Sequence, residues 1–196
     1  MIPADLSSLI LIIMKRMRKE MILPMLTICG EVDSLRKICD INGIDALVER
    51  SRSGRGAHLW IFFQKPIEAG LARKFGNVLL NKGAESVNLK SFRFYDRMLP
   101  MQDHLPEGGV GNLIALPLQG QALKEGNSAF VDEHWNAYPN QWEVLLNKKK
   151  LSKEFIEDKI KEWTEEVLIL PRTAKIFLKM ITKSRGTKQS IFIRKM

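Results

Sequence analysis

A short basic turn that runs directly into an aromatic strand restricts how this chain folds more than any other feature. Residues 51–57 read SRSGRGA, and residues 58–63 read HLWIFF. Glycine and small polar residues favour a turn, whereas aromatic and β-branched residues favour a strand. The sequence therefore predicts a tight polar turn that enters a strand, with His58 at the start of that strand.

Hydrophobic periodicity divides the chain into three zones. Residues 1–31 have no clear period, residues 164–196 have no obvious apolar stripe, and no helix or strand is predicted in either zone. Residues 32–163 have the pattern of a globular domain. Helices are predicted over residues 32–42, 66–82 and 151–164, and strands over residues 45–49, 58–63, 91–95 and 112–116. Alternating helices and strands indicate an α/β or α+β fold.

Composition narrows the cellular setting and the class of partner. The formal net charge is +9, which favours a polyanionic partner such as nucleic acid. Two cysteines without metal-ligand spacing argue against a disulfide framework or a zinc site, and they suit the cytoplasm. The apolar run at residues 9–14 is far shorter than the ~20 residues that a membrane helix needs. Its positive charges follow rather than precede it, unlike those of a secretory signal.

The turn has the residue types of a phosphate-binding site. Its candidate residues are Arg52, Ser53, Gly54, Arg55, Gly56 and His58. Glycines allow backbone N–H groups to approach an anion closely, and arginine, serine and histidine side chains add further donors. The alternative is a surface β-turn followed by a histidine that is satisfied by its surroundings.

Two further segments, in this order along the chain, extend the pattern. Residues 95–103 read YDRMLPMQD, and residues 111–132 read GNLIALPLQGQALKEGNSAFVD. Together with the turn and strand at residues 51–63, they resemble the archaeo-eukaryotic primase superfamily. The amino-acid sequence of these segments is most similar to that of primases found with superfamily-2 helicases in conflict systems of the TOTE type. The resemblance covers residues 32–163.

The resemblance implies a fold and a set of site residues. The fold is an RRM-like catalytic core with a mostly antiparallel sheet and flanking helices. His58 contacts the phosphates of the incoming nucleotide, and Asp103 is a metal-binding acid, with Asp96 as the second choice. The residues expected to line the triphosphate or template path are Gln119, Gln121 and Lys124.

The resemblance also implies a reaction and partners. A 3′-hydroxyl attacks the α-phosphate of a nucleoside triphosphate on a DNA or RNA template–primer, assisted by two Mg²⁺ or Mn²⁺ ions. A superfamily-2 helicase in the same protein or operon is the expected partner, and no membrane is involved.

The family's first motif, an Asp-x-Asp pair upstream of residue 32, is missing. Residues 1–31 contain only three acids, Asp5, Glu20 and Glu31, and none is in such a pair. If the codons of residues 11–31 and 175–183 are translated in a frame shifted by one base, Ile and Met codons become Asp, Asn, His or Tyr codons. The translated segments can then contain the acids that are missing here. We therefore expect an aberrant segment at 1–31, a primase core at 32–163, and a basic segment at 164–196 that is disordered or out of frame.

Three functions compete for this chain. It is an impaired primase–polymerase, an active polymerase that borrows acids such as Glu31 or Asp33, or a nucleotide- or nucleic-acid-binding module without chemistry. The first is favoured because the principal metal ligands are absent. Trp60, Phe62, Phe63 and Trp142 are either base-stacking platforms or residues of the core, and burial in a sheet accounts for most of them.

Overall fold

The computed structural model describes residues 8–15, 26–87, 92–103 and 114–169. Within these ranges the chain forms four strands and five helices. They are β1 (Leu9–Lys15), α1 (Leu26–Ile41), β2 (Leu47–Arg50), β3 (Gly56–Phe62), α2 (Ala69–Ser86), β4 (Tyr95–Leu99), α3 (Gly120–Lys124), α4 (Gln141–Leu146) and α5 (Lys153–Ile169). None of the helices in the described ranges is long and apolar enough to cross a membrane.

The four strands form one antiparallel sheet in the order β2-β3-β1-β4. Strands β2 and β3 form a hairpin, and residues 51–55 are its tip. Strand β1 lies between β3 and β4, so the first strand in the chain is central in the sheet. The predicted class, an α+β fold with a mostly antiparallel sheet and flanking helices, is confirmed.

Strand β1 lies where the sequence predicted no regular element, so that prediction is wrong for residues 9–15. Helix α1 also begins at Leu26, six residues before its predicted start. Each residue from Leu9 to Ile12 is at most 2% exposed, because helices cover one face of the sheet and a loop layer covers the other. A strand buried on both faces is apolar throughout, so it lacks the alternation that normally reveals a strand.

Two hydrophobic cores lie on opposite faces of the sheet. The first packs α1 and α2 against the even-numbered residues of β1, and α5 packs on α2, where Phe75 and Trp163 stack with ring centroids 6.2 Å apart. The second packs residues from the segment 114–146, including Phe130, against Leu11 and Trp60. Each face of the sheet is thereby shielded from water, which is the main stabilising term of such a fold.

Two predicted strands differ from the structure. Strand β4 starts at Tyr95, four residues later than predicted. The backbone N–H groups of Arg93 and Phe94 donate to the carboxylate of Glu31 in α1, at 2.7 and 3.0 Å, instead of to a neighbouring strand. The predicted strand at 112–116 is absent from residues 114–116, which are loop, and residues 112–113 lie outside the described ranges.

The predicted end of the first helix is confirmed. Helix α1 ends at Ile41, and Gly43 adopts a φ of 70°, which the sequence Asn42-Gly43 indicated. The amide of Ile44 donates to the carbonyl of Cys39 at 2.9 Å and closes the last turn. The predicted helices at 66–82 and 151–164 correspond to α2 and α5.

Candidate functional site

One residue from each strand forms a row across the face of the sheet that carries the second core. The register pairs Glu49 with His58, His58 with Ile13, and Ile13 with Arg97. Paired residues in adjacent strands point to the same face. We call these four residues the cross-sheet row. The next row along the strands, made of Leu47, Trp60, Leu11 and Leu99, is buried, so the cross-sheet row borders the core.

Glu49 is the hydrogen-bond centre of the row. Its side chain is 2% exposed. Its Oε2 accepts from Trp60 Nε1 at 2.9 Å and bonds His58 Nδ1 at 2.9 Å, while Ser128 Oγ donates to Oε1 at 3.4 Å. A buried carboxylate needs such partners, because its removal from water costs about several kcal/mol.

His58 is held through one ring nitrogen only. Its side chain is 13% exposed, and its Nε2 makes no hydrogen bond within the described part of the chain. A histidine fixed at Nδ1 with Nε2 open is arranged to bind a ligand at Nε2. The prediction that His58 begins the strand is correct within two residues, since β3 starts at Gly56.

The hairpin tip beside His58 is a closed turn. The amide of Gly54 donates to the carbonyl of Ser51 at 2.9 Å, and the amide of Gly56 donates to Ser51 Oγ at 3.1 Å. Both glycine amides are therefore engaged within the turn, and phosphate binding at the tip stays a prediction. The side chains of Arg52, Ser53 and Arg55 are exposed, so any anion at the tip meets side chains first.

Segment 119–128 lies against this hairpin. Asn127 Oδ1 lies 2.6 Å from where a Cβ on Gly54 would be. The amide of Gln119 donates to Ser128 Oγ at 3.2 Å, and that hydroxyl donates to Glu49. Two hydrogen bonds therefore connect Gln119 to the carboxylate that holds His58.

The other two residues predicted for the triphosphate or template path lie on α3. Gln121 Nε2 donates to Glu125 Oε1 at 3.0 Å, and Lys124 is exposed. Neither side chain contacts the cross-sheet row through a described hydrogen bond.

The two candidate metal acids occupy different places. Asp103 Oδ1 forms an ion pair with Arg73 Nη2 at 2.8 Å, and Arg73 belongs to α2, which covers the first core. Asp96 Oδ2 accepts from Arg97 Nε at 2.9 Å, next to the cross-sheet row. Asp96 thus lies next to the cross-sheet row and Asp103 is paired with α2, and the assignment of either acid as a metal ligand stays a prediction.

The two acids considered as borrowed ligands are used within the fold. Both oxygens of Glu31 accept backbone N–H groups, and burial raises the pKa of its carboxyl although these hydrogen bonds lower it. Both oxygens of Asp33 lie within 3.2 Å of Trp135 Nε1.

The residues in place do not fit a divalent cation site. No three His, Cys, Asp or Glu side chains gather in the described ranges in a way that could hold a metal ion. The positions opposite and beyond His58 are occupied by Ile13 and Arg97, which offer no oxygen ligand.

Three of the four candidate base-stacking aromatic residues are buried, as the sequence predicted for most of them. Trp60, Phe62 and Phe63 are at most 6% exposed and belong to the cores, whereas Trp142 on α4 is 57% exposed. Base stacking on the first three side chains is therefore blocked.

Glu49 and Arg97 are site residues that were not predicted from the sequence. The signal for Glu49 is a carboxylate that follows two apolar residues in a short strand, and the signal for Arg97 is its place two residues before a buried leucine. Glu49 pairs with His58 across a hairpin, whereas Arg97 pairs with Ile13 in a strand that is far away in sequence.

One comparison with known protein families gives a match. A family described as the archaeo-eukaryotic primase domain of TOTE conflict systems matches residues 15–159. The matched span runs from the end of β1 into α5 and includes the hairpin tip, β4 and segment 119–128. No curated protein matches the chain.

Proposed function

Because this chain belongs to the archaeo-eukaryotic primase family of TOTE conflict systems, we propose that it binds nucleoside triphosphates but does not polymerise them. The family carries a primase-type nucleotidyltransferase domain. The proposal that the chain binds nucleoside triphosphates is supported by the geometry of His58. Glu49 bonds its Nδ1, and its Nε2 is free to contact a ligand. The proposed ligand group is the triphosphate.

Charge around His58 favours an anionic ligand. Arg97 lies in the same row with half of its side chain exposed, and Lys15 follows Ile13 by two residues on β1 and is also exposed. Arg52 and Arg55 extend from the hairpin tip. Arginine side chains bind phosphate oxygens through paired, charge-assisted hydrogen bonds.

The proposed lack of polymerisation is supported by the shortage of free carboxylates that could bind metal ions. Residues 1–31 lack the Asp-x-Asp motif, and Glu31 and Asp33 are engaged in structural hydrogen bonds. Within the described part of the chain, Asp96 supplies a carboxylate beside the row with 30% of its side chain exposed, and it is paired with Arg97. We therefore retain the impaired primase as the leading interpretation, with the frame shift as its proposed cause, which the encoding DNA tests.

The setting of the chain is also a proposal. A net charge of +9 supports a DNA or RNA template–primer as a partner. A superfamily-2 helicase encoded in the same protein or operon, and a cytoplasmic location, follow from the family context.

Calorimetric titration of the full chain with dATP, with and without Mg²⁺, tests the binding half. His58→Ala removes the imidazole and its free Nε2. The dissociation constant should therefore rise about tenfold, the usual effect of losing one charge-assisted hydrogen bond to phosphate. His134→Ala is the matched control, because His134 is exposed and its described partner is Glu133 at 3.7 Å. Equal losses in both variants, or no loss in either, would contradict the proposed site.

A further inference from the structure

We propose that Glu49 is a positioning residue that keeps a proton on Nδ1 of His58, so that a phosphate oxygen can bind Nε2 only when the ring takes up a second proton. The proposal rests on the proposed function for the identity of the ligand. It adds a residue and a proton requirement that the proposed function does not contain.

The direction of the Glu49–His58 hydrogen bond follows from the other partners of the carboxylate. Trp60 Nε1 carries a hydrogen and can only donate, and it donates to the same Oε2 that lies 2.9 Å from His58 Nδ1. Ser128 Oγ donates to the second oxygen. An ionised carboxylate only accepts, so Nδ1 must be the donor in this pair.

This arrangement decides what Nε2 offers to a ligand. A neutral imidazole has one N–H, so a ring protonated at Nδ1 presents a lone pair at Nε2. A phosphate oxygen also presents lone pairs, and the two atoms repel. Addition of one proton from solvent to Nε2 creates the second N–H and a cationic ring, which donates to the phosphate while Nδ1 still donates to Glu49. The bound state therefore contains one proton more than the free protein.

Several charged groups surround the ring. Glu49 on β2 is in direct contact with it. Across Ile13 lie Arg97 and its partner Asp96 on β4, Lys15 is at the end of β1, and Arg52 and Arg55 are in the hairpin tip. Basic side chains predominate in this set, and its two acids are Asp96, which is paired with Arg97, and Glu49, which contacts the ring. Of these two acids, Glu49 is the one whose loss should weaken phosphate binding.

Burial explains why the carboxylate can hold one orientation. The side chain of Glu49 is 2% exposed, and both of its oxygens are bonded to groups from β3 and from segment 119–128. Neither water nor rotation can easily replace the contact to Nδ1, since rotation would leave the Trp60 N–H unpaired in the core.

Nitrogen-15 NMR of the full chain tests the tautomer without any ligand. In a series of spectra recorded with rising pH, the neutral form of His58 should show Nδ1 protonated and Nε2 bare. Glu49→Leu should shift the neutral ring towards Nε2–H, because leucine removes the acceptor of the Nδ1 proton. Glu85→Gln, an exposed change on α2 that removes the same charge, should leave the spectrum unchanged. A neutral wild-type ring that carries its proton on Nε2 overturns the proposal, and this holds even if Glu49→Leu fails to fold.

Calorimetry with inorganic triphosphate in buffers of different ionisation enthalpy tests the proton requirement. Where the free ring is neutral, the wild type should take up about one proton per bound triphosphate, as a neutral imidazole becoming a cation requires. Glu49→Gln should bind about tenfold more weakly, consistent with the loss of one charge-assisted contact, and the Glu85→Gln control should match the wild type. Binding without proton uptake, or equal affinity in Glu49→Gln, overturns the proposal while leaving the proposed function intact. A wild type that shows the Nδ1 tautomer but binds no triphosphate overturns the proposed function instead.

Discussion

Two glycines shape the hairpin tip for different reasons. Gly54 has a φ of 68°, a backbone conformation that glycine adopts without strain. Gly56 begins β3 directly beside β1, where a Cβ would lie 2.4 Å from the backbone oxygen of Met14. The sequence predicts anion contact for both glycines, and in the structure they let the turn close and the two strands approach.

Gly56→Ala should therefore destabilise the fold by about 1–3 kcal/mol, since the obstructing atom is backbone and cannot move aside. Gly30→Ala is the control with the opposite sign. Gly30 lies inside α1 with nothing within 4 Å of the added carbon, so alanine should stabilise by about 0.5–1 kcal/mol through helix propensity. Urea unfolding followed by circular dichroism measures both. A neutral Gly56→Ala would show that β1 and β3 do not approach as closely as the structure indicates.

Helix α1 is tied to the segment before β4 by one carboxylate. Glu31 is 6% exposed, and it accepts the amides of Arg93 and Phe94 that a longer strand would otherwise use. This capture explains why β4 starts later than its hydrophobic pattern predicts, although Phe92 and Phe94 are still buried in the first core. A side chain from another element thus changes a strand boundary that local sequence cannot reveal.

The raised pKa of Glu31 gives this contact a pH dependence. Burial raises the pKa of the carboxyl in the folded state above its ordinary value, so the folded state binds the proton more tightly than the unfolded state. The free energy of unfolding of the wild type minus that of Glu31→Gln should therefore fall as pH rises through the raised pKa. Urea unfolding of both chains from about pH 4 to pH 7 measures it, a range that starts near the ordinary pKa of glutamate. A difference that grows with pH over this window would mean that the two amide hydrogen bonds outweigh burial.

The whole sheet determines which residues share the face around His58. The cross-sheet row joins residues 13, 49, 58 and 97, and its members contribute one acid, which is buried. Asp103 is not a member of the row, and it forms an ion pair with Arg73 on α2. An active centre with two cations needs several carboxylates close together, and the described residues do not provide them.

We therefore expect no primer extension by this chain with Mn²⁺ and a primed DNA template. Gel-based extension with labelled primer measures it, with an active polymerase added to the same reaction as the control for template quality. Metal-dependent extension that disappears in Asp103→Ala would reverse the proposal of impairment and restore Asp103 as a metal ligand. Removal of one of several carboxylates around two cations leaves the charge under-compensated, so the loss in that variant should be severe.

Local patterns in the sequence were sufficient for the hairpin turn, the end of α1, the burial of Trp60 and the family itself. Each depends on residues close together in the chain, such as Asn42-Gly43 or residues 51–63. They were not sufficient for the place of β1, whose uniform apolar run has no period because both faces are covered. They also missed the contact of Glu49 with His58 and the pairing of Ile13 with Arg97. Both depend on the register between strands, and periodicity along one segment carries no information about such pairing.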